Sequence, residues 1–290
     1  MVYIVLIIFI LIVAMIAVIY HDTHSFVVRN YEVRSDKVGG DYRIVFLTDL
    51  HGYEFGKGNE KLLAAIRDQR PDAIVCGGDM FNAKAKKKKD VRTDTGLKLL
   101  KELAGEFTVF AANGNHERKV KTYTKEHGNL FSRYKAELER ANVKYLEDDS
   151  FVLENRNIRI TGLDTELEYF RKFVKTKMDS DYLESKLGKI SSIEKGRFQI
   201  LLAHNPQYFK EYCNWGADLT LAGHFHGGIV RLPFIGGVIS PAFNLFPRYS
   251  GGRYESDDKV MILSCGLGTH TINVRMFNPG EVSVIDIKGV

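Results

Sequence analysis

Tyr42-Arg43-Ile44-Val45-Phe46-Leu47-Thr48-Asp49-Leu50-His51 carries the first reading of the fold. Its aromatic and β-branched residues suit a strand, and the unbroken apolar run from Ile44 to Leu47 suits a strand buried on both faces. The run ends at a carboxylate, followed two residues later by an imidazole. The same phrase recurs along the chain. Ala73-Ile74-Val75-Cys76 runs into Gly77-Gly78-Asp79, and residues 107–112 run into Asn113-Gly114-Asn115-His116-Glu117. Residues 198–203 run into His204-Asn205, and residues 218–222 run into Gly223-His224-Phe225-His226. Between the first three strands lie helical patterns, one over 60–68 with Leu62, Leu63 and Ile66 on one side and stopped by Pro71-Asp72, the other over 95–103. Strands alternating with helices in this way predict a parallel sheet covered on both faces, with functional residues just past the strands' carboxyl ends.

The second half reads as β-rich, with strands over 157–164, 198–203, 218–222, 260–264 and 282–287 and a helix over 179–190. No internal repeat or low-complexity segment interrupts it. The 290 residues suffice for one large domain or two small ones, and 44% hydrophobic and 27% charged residues are ordinary globular values. A net charge of +5 does not by itself imply a nucleic-acid partner. The three cysteines, Cys76, Cys213 and Cys265, are odd in number and widely spaced, which excludes a disulfide framework and a zinc ribbon. Cys76 and Cys265 end apolar runs and read as buried thiols.

Residues 2–20 contain no charged side chain and as a helix would span roughly 28 Å, about the hydrocarbon thickness of a bilayer. No basic leader precedes them, no Ala-x-Ala site follows and no polar face interrupts them, which predicts an uncleaved transmembrane anchor over 1–20. A juxtamembrane spacer over 21–41, extended at Phe26-Val27-Val28, then leads to a catalytic domain over 42–290. Arg29, Arg34 and Lys37 after the span favour a cytoplasmic domain, but large domains translocate regardless of such a bias, so the side of the membrane stays open.

Carboxylate, amide oxygen and imidazole together suit hard-to-borderline metals such as Mn, Fe and Zn. Taken singly, each motif has a plainer reading: Asp-x-His arises by chance, Gly-Gly-Asp is a turn, and a lone His is commonly a satisfied core residue. Five of them, each ending a buried strand, predict a metal site drawn from the Asp, Asn and His residues of these motifs.

These motifs resemble those of the calcineurin-like metallophosphoesterases, and the similarity runs from Arg43 to about Ile287. The stretch 223–237, with Ser264-Cys265-Gly266-Leu267-Gly268 and Val274-Arg275-Met276-Phe277-Asn278-Pro279, is similar to a bacterial membrane-anchored branch that includes phosphodiesterases and UDP-diacylglucosamine pyrophosphatases. The resemblance implies an α/β fold, a four-layer αββα sandwich of two mixed sheets with the metal site at strand ends, plus the N-terminal transmembrane helix. It implies two divalent metal ions, the first held by Asp49, His51 and His226, the second by Asn115, His204 and His224, with Asp79 bridging. A metal-bound hydroxide would attack phosphorus in line. His116 would stabilise charge or protonate the leaving oxygen, and Glu117 would orient His116. Two positions depart from the family pattern: Phe225 stands where Thr or Ser is commoner, and Ile229 where Gln is frequent.

The function expected is hydrolysis of a phosphodiester or pyrophosphate in a phosphorylated, membrane- or envelope-associated substrate, lipid-linked compounds included. The alternatives are a phosphomonoesterase or protein phosphatase, for which Arg118, Lys119 and Lys121 would supply extra cations, and a non-catalytic metal-binding membrane protein. A nuclease should interleave basic and aromatic residues along a groove, a pattern not seen here. The run Lys84-Ala85-Lys86-Lys87-Lys88-Lys89 reads as a solvated loop or as an attractor of anionic headgroups or phosphorylated substrate. The apolar stretch 232–249 reads as irregular core or as a wall receiving an acyl or prenyl tail. Oligomeric state is not legible.

Overall fold

The computed structural model describes residues 1–83, 91–171, 175–232, 235–239, 245–269 and 273–290. The first half contains α1 (Val2–His24), β1 (Phe26–Ser35), β2 (Tyr42–Leu47), α2 (Glu60–Asp68), β3 (Ala73–Cys76), α3 (Asp94–Ala104), β4 (Thr108–Ala112), α4 (Asn115–Thr122), α5 (Thr124–His127), α6 (Leu130–Arg140) and β5 (Lys144–Leu146). The second contains β6 (Asp149–Leu153), β7 (Ile158–Gly162), α7 (Tyr182–Leu187), β8 (Phe198–Leu202), α8 (Phe209–Trp215), β9 (Leu219–Ala222), β10 (Val230–Leu232), β11 (Gly236–Ile239), β12 (Gly252–Ser256), β13 (Lys259–Leu263) and β14 (Gly280–Gly289).

Two six-stranded mixed sheets, in the orders β1-β14-β2-β3-β4-β5 and β12-β13-β9-β8-β7-β6, form the centre. The period of two along β2 shows how they stack. Val45 and Leu47 face α2, α3 and α6, packing with Leu62, Ile66, Leu99, Leu103 and Leu138. Ile44 and Phe46 face the other way and meet Ile160, Ile200 and Leu221 of the second sheet. The outer face of the second sheet is covered by α7 and α8 through Leu183, Tyr212 and Trp215. Helix, sheet, sheet, helix is the expected four-layer αββα sandwich. The continuous apolar runs in β2, β3 and β8 follow from it, because both faces of each strand are dry. A fully buried side chain such as Phe46 contributes about 1.5–3 kcal/mol of hydrophobic stabilisation.

The structure revises the expected boundaries near the N-terminus. Residues 21–41 are not a free spacer: β1 pairs in parallel with β14 along ten positions, from Phe26–Gly280 to Ser35–Gly289. The alternation there is shallow because β1 is an edge strand, which hid it from a pattern search. Helix α1 continues past Tyr20 to His24, and its last turn is built into the domain, with Asp22 and Thr23 buried. None of its most apolar stretch is buried in the domain, and α1 is long and apolar enough to cross a membrane.

Elsewhere the helix expected over 179–190 shortens to Tyr182–Leu187. Helix α4 went unread because its sequence, Asn-His-Glu-Arg-Lys-Val-Lys-Thr, is almost wholly polar, with Val120 as its one buried apolar residue. The Lys84–Lys89 run lies outside the described residues, as do 233–234 and 240–244 of the apolar stretch.

Because β1 covers the whole of β14, a chain that begins at residue 37 will expose a ten-residue sheet edge. We expect it to aggregate on gel filtration while a chain beginning at residue 21 remains monodisperse; equal behaviour would show that β1 is dispensable.

Candidate metal centre

The turns that follow β2, β3, β4, β8 and β9 converge at one end of the sandwich, and each carries candidate ligands. Five of these residues hold left-handed backbone: Asp49 (φ 54°), His51 (φ 50°), Asp79 (φ 54°), His224 (φ 71°) and His226 (φ 51°). Non-glycine residues rarely adopt this conformation and do so mostly where surrounding structure imposes it, often at functional sites. The chain passes between the ligands without room for side chains. A Cβ on Gly114 would stand 2.3 Å from Asp79 Oδ1, and one on Gly223 2.3 Å from Asp49 Oδ2. Those glycines are required by close approach, not by flexibility.

Six of the seven predicted ligands, joined by His116, form three interlocked groups. Asp49, His51 and His226 place potential ligand atoms within 4.8 Å of one another, and so do Asp79, His204 and His224. A third group, His51, Asp79 and His116, links the two. His226 Nε2 lies 3.3 Å from Asp49 Oδ1, and His204 Nε2 lies 3.2 Å from Asp79 Oδ2 and 3.7 Å from Asp49 Oδ1. His51 Nε2 is 3.1 Å from His226 Nε2, with Asp49 at 3.7 Å and Asp79 at 3.8 Å. Asn115 begins α4 just past β4, and its Oδ1 is buried with no hydrogen-bond donor among the described residues. An orphaned buried amide oxygen beside crowded carboxylates and imidazoles is a donor set that fits a divalent cation.

The electrostatics follow from burial. Asp49 and Asp79 are 0% and 1% exposed. Burial raises both carboxyls, but imidazoles outweigh it, His226 and His204 at Asp49 and His204 first of all at Asp79, and both end well below the usual carboxylate range. Burial lowers His204, yet Asp79 and Asp49 lift it to about 10. His224, buried and facing the charge on His204, falls to about 3.

Several of the candidate ligands are held from behind. His204 Nδ1 donates to Gly77 O at 2.8 Å, which turns Nε2 toward the carboxylates. Asp49 accepts from Thr48 Oγ1 at 3.0 Å and from the His224 N–H, and Asp79 Oδ1 accepts from the His116 N–H at 2.7 Å. The Ala83 N–H donates to His116 Nδ1 at 2.7 Å. That contact assigns the neutral tautomer: the ring proton is on Nε2, the atom 3.9 Å from Asp79 Oδ2. The two oxygens of Glu117 accept from the N–H groups of Asp79, Met80 and Gly114 at 2.7, 2.9 and 3.0 Å, which ties the β3 and β4 turns together. Burial and then Asp79 raise its carboxyl to about 7, against backbone donors that include Asp79 and Met80.

A deeper support was not readable from the sequence. Arg275, 2% exposed, donates to the carbonyls of Cys265, Gly266 and Gly268, and Asn278 Nδ2 donates to those of His226 and Gly228, both at 2.7 Å. This lattice fixes the His226 turn. It is fixed in turn by α1: the Asn278 N–H donates to Asp22 Oδ2 at 2.9 Å and the Arg275 N–H to Thr23 Oγ1 at 3.1 Å. Only the motif around Val274–Pro279 hinted at a role, with no partner to read it against.

Arg118 and Lys121, candidate phosphate cations, are occupied. Both bond Asp164, at the end of β7, with Lys121 at 2.6 Å; Arg118 also reaches Glu166 at 3.5 Å, and Lys121 pairs with Glu147. Phe225 is 4% exposed, its ring 5.5 Å from the His224 centroid, and Phe170 packs on the same imidazole at 5.1 Å.

A family model described as calcineurin-like phosphoesterase matches residues 42–228, more than half of the chain. An uncharacterized metallophosphoesterase of Aquifex aeolicus is 25% identical over 272 residues, 92% of this chain and 94% of that protein. The uncharacterized metallophosphoesterase YkoQ of Bacillus subtilis is 27% identical over 245 residues, covering 83% and 81%. The phosphodiesterase YaeI of Escherichia coli is 25% identical over 252 residues, covering 85% and 82%.

Two outcomes are expected of this site. With His204 and His224 as ligands, a metal would displace the proton that His204 carries below about pH 10, whereas His224 is already neutral above about 3. Affinity therefore rises with pH, about tenfold per unit for one released proton, and falls on acidification. Calorimetry at pH 7.5 in buffers of different ionisation enthalpy should read proton release, and none would contradict the shift on His204. Asn278→Ala should weaken metal binding about tenfold or more in chelator competition, with circular dichroism unchanged.

Proposed function

We propose, for a chain that belongs to the calcineurin-like phosphoesterase family, cleavage of a phosphodiester or pyrophosphate at a two-metal centre. Membership makes the protein a metal-dependent phosphoric ester hydrolase; the bond, the number of ions and the residue roles are our reading. Its main support is Asp79, whose carboxylate belongs to two ligand groups at once and has the two oxygens a bridge needs. Asp49, His51 and His226 would hold one ion, and Asn115, His204 and His224 the other. Two divalent ions, of the Mn, Fe or Zn type, supply an acidified water and positive charge for the phosphoryl oxygens when bound.

The chain's own residues do the rest. The left-handed turns fix the ligands before substrate arrives, so little reorganisation accompanies the reaction. His116, with its proton on Nε2, donates to the leaving oxygen, and the Ala83 N–H keeps that tautomer. A monoester dianion calls for further cations; of the three candidates, Arg118 and Lys121 pair with Asp164 and Glu147, while the charge of Lys119 bears on His224. The name of the Escherichia coli relative favours a diester or pyrophosphate. Helix α1 would anchor the enzyme rather than serve as a cleaved leader, since its last turn is bonded into the domain through Asp22 and Thr23. An anchored site points to a phosphate compound of the membrane or cell envelope, including lipid-linked ones.

The full chain in detergent, stripped and reloaded with Mn, should turn over bis-p-nitrophenyl phosphate faster than p-nitrophenyl phosphate. Asp79→Asn should abolish both activities. His116→Ala should lower kcat about 10²- to 10⁴-fold on an alkyl diester and less on the nitrophenyl one, whose leaving group needs no proton. Chelator-resistant turnover would sink the metal reading, and a faster monoester would reverse the preference.

A further inference from the structure

Five large apolar side chains on the domain are exposed close to where α1 joins it: Leu232 (36%), Ile235 (61%), Leu245 (67%), Phe246 (63%) and Phe277 (47%). They form one connected surface. The β10–β11 hairpin bridges to the 273–278 segment at Val230–Met276, with the Arg231 N–H donating to Met276 O at 3.0 Å. It bridges to the following segment at Ile239–Leu245, with the Phe246 N–H donating to Val238 O at 2.8 Å. Phe277 is adjacent to Asn278, whose N–H is held by Asp22 in the last turn of α1. The apolar surface therefore lies beside the point where the apolar helix enters the domain.

Beneath the hairpin opens a cavity of about 460 Å³ with Arg29, Arg231 and Arg248 in its wall, beside Leu232, Ile235 and Phe277. The Arg231 guanidinium is fixed by Ser250 O at 2.9 Å and Gly251 O at 3.2 Å, neutral partners that orient it without cancelling its charge. Arg248 stacks on Tyr249 at 5.3 Å, and Arg29 lies 3.3 Å from the buried Glu281. No acidic side chain lines the cavity among the described residues, so three guanidiniums face it over a single underlying carboxylate. Cations grouped beneath exposed apolar side chains match the layered chemistry of a bilayer surface, with acyl chains on one side and phosphates a few ångströms away.

We propose that this face sits in the bilayer surface: Leu232, Ile235, Leu245, Phe246 and Phe277 enter the acyl boundary, and the arginine cavity binds the phosphate of an anionic phospholipid. The inference rests on the reading of α1 as a membrane anchor. It adds a lipid site distinct from the metal centre and sets the face of the domain that meets the membrane.

The test uses the full chain in nanodiscs of brominated phosphatidylcholine, with and without phosphatidylglycerol. Single tryptophans are introduced as Ile10→Trp, Ile235→Trp or Phe246→Trp. The native Trp215, in α8 on the outer face of the second sheet, gives the unquenched background. Emission from the Ile235→Trp and Phe246→Trp proteins should be lost relative to unbrominated discs. The loss should deepen with phosphatidylglycerol, and Arg248→Glu should remove that increment. Quenching of Ile10→Trp alone leaves the anchor standing and overturns the docked face. No quenching of Ile10→Trp removes the anchor and this inference with it. Loss without an effect of phosphatidylglycerol or of Arg248→Glu rejects the headgroup site. Inorganic phosphate raising the melting temperature of the wild type but not of Arg248→Glu, with no lipid effect, reassigns the cavity to a soluble phosphate and overturns the proposal.

Discussion

Two carboxylates buried side by side govern this structure. Asp49 and Asp79 sit at the ends of adjacent strands, out of reach of water, close enough for one imidazole to lie within 4 Å of both. Charges so placed are strongly unfavourable unless cations and hydrogen bonds compensate them. The histidines, the ions the family uses and the amide donors behind each oxygen are all answers to that constraint. The four-layer architecture is what makes the constraint possible, because only a strand covered on both faces delivers its last residue into a dry interior.

The compensation is distributed over the chain in a consistent way. Residues just past the strands supply the groups that face inward, and segments far off in sequence hold them from behind. Glu117 binds three amides of two turns, and Arg275 binds three carbonyls of a third. Each ties together backbone that would otherwise carry unsatisfied polar groups in a buried place. The left-handed candidate ligands lie in the turns that these clamps hold.

The sequence made the inner part of this arrangement legible and the outer part illegible, for physical reasons. A central strand must be apolar on both sides, so β2, β3 and β8 announce themselves, and the polar residue that follows each is conspicuous. Edge strand β1 mixes Arg29, Asn30, Glu32 and Arg34 into its run, because one side of it meets solvent, and so it passed for a spacer. Helix α4 carries its packing on Val120 alone and leaves no periodic trace. Glu117 was visible, but its partners were not: a carboxylate bonded to backbone amides leaves no mark on the residue types it touches. The bond from Asn278 to Asp22 joins positions 256 apart, beyond any local pattern.

The junction between α1 and the domain has a mechanical meaning. Where many anchored enzymes hang from a flexible leash and sweep a volume, here the strand follows the helix after the single residue Ser25, and two hydrogen bonds lock the joint. With α1 in a bilayer, such a joint permits little swivel. The mouth of the site would stay at one height and one tilt, moving only as the helix drifts in the plane. Encounter would then be governed by surface density and lateral diffusion rather than by bulk concentration. A substrate floating free in solution would gain nothing from this geometry; one confined to the same plane would meet the site already facing it.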